Sequence, residues 1–428
     1  MQRWNLVLKL KDETIIYRNP FADTESWTIP ARKHRPFHTN RLSAPEKLQA
    51  HSPENYCAFC PANYPEATPE KTRIERREGK WILLDEPNPG HIFSKSAEFR
   101  RIGNLYEILS TNYWTKNHGY QLSVANINRK NKYLADPRGR EHIESLLDRY
   151  AMRPEIRDPV EAANEVSNNF FGGAHDLIIP RRHYVDQATH SNQLCSTGSL
   201  TPDEHHQYLR LTCYAVNDIY ANNPFVAFVG VYTNWRHAAG ASFEHLHRQV
   251  IGVDRYGHTL KNGLRMAGEN AKIYQDYVNH VALSHGLFLC ENEHALAFVD
   301  IGHSFATVAI YSKAASSTPC EQSSAELKDM SDLIHAVHAA FGADEAVNEE
   351  WYYQPRDSAV KIPWHVLIKW RNHRHAGIEN IIDIYPDDYG PVELKRILLD
   401  KLFKLSADNR IGTVSFDPPN EIFLSYFL

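Results

Sequence analysis

Two short stretches of the chain carry residue types that could do chemistry. The first is Cys57-Ala-Phe-Cys60, a C-x-x-C pair. That spacing lets two thiolates take two corners of a tetrahedral metal site. A redox dithiol would instead open a helix after a strand, and Pro61, Asn63 and Pro65 argue against a helix start here. No second C-x-x-C exists, so further ligands must be His, Asp or Glu. Cys195, Cys213, Cys290 and Cys320 stand apart and read as buried thiols. The second stretch is Asn234-Trp-Arg-His-Ala-Ala-Gly-Ala-Ser-Phe-Glu-His-Leu-His-Arg-Gln249, which ends in an H-x-H-x-Q. Val250, Ile251 and Val253 continue it as a strand, and alternation puts His245, His247 and Gln249 on one face. Three polar side chains on one face of a strand that runs into the core are costly unless they face a site.

These motifs need elements to hold them. Residues 1–55 are Pro-rich and basic, and Trp27 to Pro36 reads as an arm rather than a packed element. Cys57 to Lys71 reads as a loop that needs an outside constraint. Strands are predicted at Trp81–Leu84, Phe99–Ile102, His175–Pro180, Phe225–Tyr232 and His247–Val253. Arg129–Asp158 is charged and helical in part. Thr201-Pro-Asp-Glu204 combines a capping box with proline at the first helical position, so a helix should run from there to about Asn222. A helix is predicted over Leu260–His285, and then the pattern restarts. Strands follow at Leu287–Cys290, Ala295–Val299 and Phe305–Tyr311, a helix at Ser323–Phe341, strands at Trp351–Gln354 and Trp364–Trp370, and a closing helix at Pro386–Phe403. Strands and helix given twice predict an α+β fold of two similar halves, each an antiparallel sheet with packed helices, in one compact unit. The organisation expected is an arm over 1–55, a first half over 56–258 with both motifs, and a second half over 259–428.

With 42% hydrophobic residues in 428, the chain can bury a large core. Its net charge of -5 gives no electrostatic reason to expect nucleic acid or a membrane surface as partner. No window approaches the roughly 20 apolar residues of a membrane helix, and Met1–Lys11 lacks a signal-peptide run. The expectation is a cytoplasmic protein.

The segment Asn234–Gln249 resembles the active-site segment of the galactose-1-phosphate uridylyltransferase branch of the histidine-triad superfamily, which has Gly-x-Ser followed by H-P-H-x-Q. Cys57-Ala-Phe-Cys-Pro61 is similar to that family's zinc C-P-F-C-P, and Arg100-Arg-Ile-Gly-Asn104 to its V-R-V-x-P-N. Gly173-Ala-His-Asp-Leu-Ile-Ile-Pro-Arg-Arg-His183 resembles its G-x-H-E-V-I-V-E-x-P-x-H. Glu291–His294 and Trp364–Lys369 resemble its second half. The likeness covers about residues 55–400 in order, and the opening arm looks like that of an uncharacterised side branch. Leu246 stands where the family has proline, Glu244 precedes the first histidine, and Asp300-Ile-Gly-His303 stands near the place of a W-P-F-E run. The long interval between Cys60 and His183 implies an insertion within 126–170. These departures leave the sugar and the acceptor open.

The resemblance implies a nucleotidyl transferase with His247 as nucleophile, its other ring nitrogen donating to a backbone carbonyl, and with Gln249 as donor to a phosphate oxygen. It implies phosphate or nucleotide contacts from Asn234, Gly240, Ser242, Asn104 and Arg100. It implies zinc (Zn2+) held by Cys57, Cys60, His183 and His245, with His175 the competitor for the His183 place. Arg236 and Arg248 read equally as phosphate partners or solvated cations, and His365 as a packed histidine among aromatics. The donor expected is a UDP-sugar and the acceptor a sugar 1-phosphate. A phosphorylase acting on a dinucleoside polyphosphate or an ADP-sugar is the close rival. A catalytically silent nucleotide-binding protein and a zinc-dependent nucleic-acid module are the alternatives from other classes, and a homodimer stays open.

Overall fold

Alternating and continuous apolar runs become strands that pair almost entirely antiparallel. The computed structural model describes residues 4–30, 45–48, 55–150, 159–373, 375, 377 and 379–427. In chain order its strands are β1 (Val7–Lys9), β2 (Ile15–Asn19), β3 (Thr24–Thr28), β4 (Glu70–Arg77), β5 (Lys80–Asp85), β6 (Phe99–Gly103), β7 (His175–Pro180), β8 (Phe228–Trp235), β9 (Arg248–Val253), β10 (Phe288–Glu291), β11 (Ala295–Asp300), β12 (Thr307–Ser312), β13 (Val347–Tyr352), β14 (His365–Trp370) and β15 (Ile384–Asp387). Strands β4 to β14 form one eleven-stranded sheet in the order β10-β11-β12-β14-β13-β8-β9-β7-β6-β4-β5. Every pairing in it is antiparallel.

The expected two halves are visible in that order. From the β8·β13 junction, β8-β9-β7-β6-β4 runs one way and β13-β14-β12-β11-β10 runs the other. The junction pairs Asn234 with Asn348 and Trp235 with Val347. Each half lays a long helix on the same side of the sheet, Pro202–Asn222 and Ser324–Phe341, and the two helices pack on each other. Both start where capping chemistry says they should. Thr201 and Glu204 satisfy each other's backbone N–H groups, as do Ser323 and Glu326. The region where an insertion is expected carries helices Val124–Ala135, Pro137–Arg149 and Pro159–Gly172 around a separate apolar core.

Three expectations need correction. The opening residues are not all arm: β1, β2 and β3 form a meander, and β3 pairs in parallel with β15. The part of the Trp27–Pro36 reading at 31–36 lies outside the described residues. The closing helix runs over Gly390–Ala407, because Ile384–Asp387 is taken by the β3 pairing. The predicted Leu260–His285 helix breaks at Asn270 into His258–Glu269 and Ile273–Val278, followed by a wider turn over Asn279–Ser284. Near the C-terminus Ile422, Leu424 and Tyr426 are buried.

Candidate functional site

Strand alternation sorts the polar residues around β9 to two sides of the sheet. Gln249 sits opposite Tyr232 of β8 and Leu177 of β7, and these share the side away from the long helices. Arg248 points to the other side. There its guanidinium meets Glu349 at 2.8 Å, with both side chains fully buried. It also lies over the Tyr208 ring at 4.4 Å. Glu349 accepts from His338 Nε2 at 2.8 Å and from Trp351 Nε1 at 2.7 Å. Burial opposes ionisation of Glu349, but Arg248 and His338 more than offset it and hold the carboxyl below its usual range. Arg248 is therefore neither a phosphate partner nor a solvated cation. Arg236 is neither as well, since its guanidinium bonds the Ala343 carbonyl at 3.0 Å and Asp344 at 2.9 Å.

Four ligating side chains converge ahead of β9. Cys57, Cys60, His183 and His245 bring their ligand atoms within 4.8 Å of one another. The sulfurs lie 3.8 Å apart, and His183 Nδ1 is 3.5 Å from each. His245 Nδ1 is 3.5 Å from Cys57 Sγ and 3.8 Å from Cys60 Sγ. A tetrahedral zinc with Zn–S of about 2.3 Å and Zn–N of about 2.0–2.1 Å requires edges of roughly 3.8 Å between sulfurs and 3.5 Å between sulfur and nitrogen. The observed edges fit that polyhedron. His245 Nε2 donates to the Pro180 carbonyl at 2.8 Å, which leaves Nδ1 as the lone-pair atom. His175 takes no part in this group.

The same loop builds a wall of a cavity of about 320 Å³, lined by Phe59, Asn104, His175, Ser242, His247 and Gln249 among others. Phe59, held between the two cysteines, packs its ring 5.5 Å from that of His247. His247 Nδ1 donates to the His245 carbonyl at 2.8 Å, so Nε2 carries the free lone pair. Burial holds the His247 imidazole below its ordinary pKa. Gln249 Oε1 accepts from Tyr232 at 2.7 Å and lies 3.1 Å from His175 Nε2. The helix Pro137–Arg149 and Tyr150 after it support the opposite wall. His142 Nε2 donates to the Ala67 carbonyl at 2.9 Å, and the Tyr150 hydroxyl to Glu66 at 2.9 Å.

Three of the sequence candidates lie off this cavity. Arg100 is buried with its guanidinium on the Phe59 carbonyl at 2.9 Å and over the Tyr64 ring at 3.9 Å, so it braces the cysteine loop. Asn234 accepts from Asn348 at 2.7 Å across the junction. Gly240 has φ +90, a left-handed turn that favours glycine, and its side faces Asn234. His365 is the packed histidine expected, stacked between Tyr311 at 4.5 Å and Tyr352 at 5.3 Å. Its Nδ1 bonds the Pro363 carbonyl at 2.9 Å, repeating the His247–His245 contact in the other half. Tyr232 had no signal in the sequence, because only the β8·β9 register brings it to Gln249.

The fold is shared with two solved proteins of low sequence identity. An ADP-glucose phosphorylase from Arabidopsis thaliana, solved with ADP-glucose, superposes with a TM-score of 0.59 at 15% identity, over 90% of this chain and 98% of that one. A GalT-like protein from Arabidopsis thaliana gives 0.55 at 14% identity, over the same shares, 90% and 98%. No curated protein matches the sequence. Residues 10–417 match the family described as a domain of unknown function, DUF4921, and the chain belongs to that family. Among the described residues, no helix is long and apolar enough to cross a membrane.

Proposed function

We propose that this protein is a nucleotidyl transferase that moves a nucleoside monophosphate group from a nucleotide-sugar, through a nucleotidyl-histidine at His247, to a phosphate acceptor. The hydrogen bond from His247 Nδ1 to the His245 carbonyl carries this reading, because it fixes the tautomer and turns the Nε2 lone pair to a cavity that also holds an amide. In the first displacement Nε2 attacks the α-phosphorus. An N–P bond forms, the P–O bond to the β-phosphate breaks, and the sugar 1-phosphate leaves with the bonding electrons. In the second, a phosphate oxygen of the acceptor attacks the same phosphorus and His247 leaves with its lone pair restored. Gln249 donates its amide to a non-bridging oxygen as charge builds there. Ser242 and Asn104, at the cavity wall, contact the phosphates and nucleoside.

Cys57, Cys60, His183 and His245 would hold one zinc ion, which ties the cysteine loop to the nucleophile strand and takes no part in the transfer. The leading donor is a UDP-sugar, with a sugar 1-phosphate as acceptor. A second reading, in which inorganic phosphate accepts the group from an ADP-sugar, is favoured by the likeness to the Arabidopsis ADP-glucose phosphorylase. Incubation with UDP-glucose and ADP-glucose, each labelled in the α-phosphate, should leave acid-labile label on the protein. A chase with galactose 1-phosphate or with inorganic phosphate then tells the readings apart. If no labelled nucleotide-sugar leaves an adduct, the transferase reading is lost.

A further inference from the structure

Gln249 can serve a phosphate only if its amide nitrogen, not its oxygen, faces the cavity. The two ends of an amide are alike in shape, so the surroundings must decide. They do so through a chain of contacts that starts at a group with no freedom. The backbone N–H of Ile108 points at His175 Nδ1 at 3.3 Å. A backbone N–H can only donate, so Nδ1 accepts and the ring proton sits on Nε2. Nε2 then donates to Gln249 across 3.1 Å, which makes the receiving atom the amide oxygen. The Asn104 amide nitrogen lies 3.1 Å from Nε2 and 3.5 Å from Nδ1, and with Nε2 protonated it can donate only to Nδ1. Asn104 Oδ1 is itself held by the Tyr106 N–H at 3.0 Å.

Tyr232 supplies a second donor to the same oxygen at 2.7 Å, from directly across the β8·β9 pairing. Burial pushes its hydroxyl up to about 12, so it keeps its proton. Two donors fill both lone pairs of Oε1. The amide nitrogen makes no hydrogen bond to any described residue and is left for a ligand.

We propose that Tyr232 and His175 are positioning residues that fix the Gln249 amide with its NH2 group toward the substrate phosphate. This rests on the transferase reading above. Tyr232 does not line the cavity, so its effect on transfer must pass through Gln249.

A double-mutant cycle on nucleotidyl transfer tests the proposal. Tyr232→Phe removes one neutral hydrogen bond to Oε1 and should lower kcat by about three- to tenfold, with little change in KM for the nucleotide-sugar. In a Gln249→Ala background the same Tyr232→Phe change should alter kcat by less than about twofold, because nothing is left to orient. Gln249→Glu gives a readout that needs no substrate. A carboxylate oxygen still accepts from both donors, so the Tm should stay at or above that of Gln249→Ala while transfer falls further, the carboxylate repelling phosphate. Equal losses from Tyr232→Phe in both backgrounds, or none in either, would overturn the positioning role while leaving the transferase reading standing. A wild-type protein that forms no adduct with any nucleotide-sugar would overturn both.

Discussion

Glu349→Ala should be among the most damaging single changes outside the cavity. The Arg248–Glu349 pair has no exposed surface on either side chain and a separation of 2.8 Å. Removing the carboxylate leaves the guanidinium with Thr212 Oγ1 at 3.2 Å and the faces of Tyr208 and Trp351, none of them charged. Breaking a buried pair from one side costs roughly 3–5 kcal/mol. For 428 residues an unfolding entropy of about 2.1 cal/mol/K per residue gives about 0.9 kcal/mol/K, so the Tm should fall by about 3–6 °C. The exposed Arg265–Glu269 pair, with 59% and 65% of each side chain accessible, provides the control. Glu269→Ala should cost under about 1 kcal/mol, near 1 °C. Removing both charges, as Arg248→Met with Glu349→Leu, should recover most of the loss, since no orphaned charge remains. The assay is thermal unfolding followed by circular dichroism. A Tm within 1 °C of wild type for Glu349→Ala, or a double variant no better than the single one, would refute the reasoning.

Cys57→Ser should lower zinc, measured by plasma emission spectroscopy, from about one per chain to near zero, and should destabilise the cysteine loop more than it changes chemistry in the surviving fraction. His247→Gly should cost a factor on the order of 10⁴ or more in transfer, with zinc content and Tm near wild type, whereas His245→Ala should lose metal. Stability should also fall in acid. His142, His335 and His365 are each depressed to about 4 by burial. The unfolded chain therefore takes up protons first, and stability present above about pH 6.5 is lost as pH falls toward 4, by roughly 1.4 kcal/mol per unit for each such histidine. Urea midpoints that stay level from pH 7 to 5 would contradict this.

What could be read from the residues is what depends on near neighbours. The C-x-x-C and H-x-H-x-Q are local, and alternation carried His247 and Gln249 to a common side. The same alternation places Arg248 on the opposite side, and its buried partner Glu349 lies in a different half, where no local pattern points to it. His175 and His183 are eight positions apart, an even spacing that does not separate them. They part because β7 ends at Pro180, after which the chain turns to carry His183 to the cysteines while His175 stays in the cavity. The β3·β15 pairing leaves no local mark, because β15 comes from near the other end of the chain. Helix starts fared better, at Thr201 and Ser323, since a capping box is written in four consecutive residues.

The β8·β13 junction has a consequence for how this chain can be handled. Four residue pairs, Val347–Trp235 to Glu350–Tyr232, stitch the halves through backbone hydrogen bonds. Cutting the chain between 258 and 259 would turn two central strands into long, flat, unprotected edges, each a template for intermolecular pairing. It would also leave Arg248 on one fragment and Glu349 on the other, each a buried charge without its counter-ion. The fragment over 56–258 holds every residue proposed for metal and transfer, yet expressed alone it should aggregate rather than work as a minimal enzyme. Co-expressed fragments should regain solubility only by rejoining along that seam.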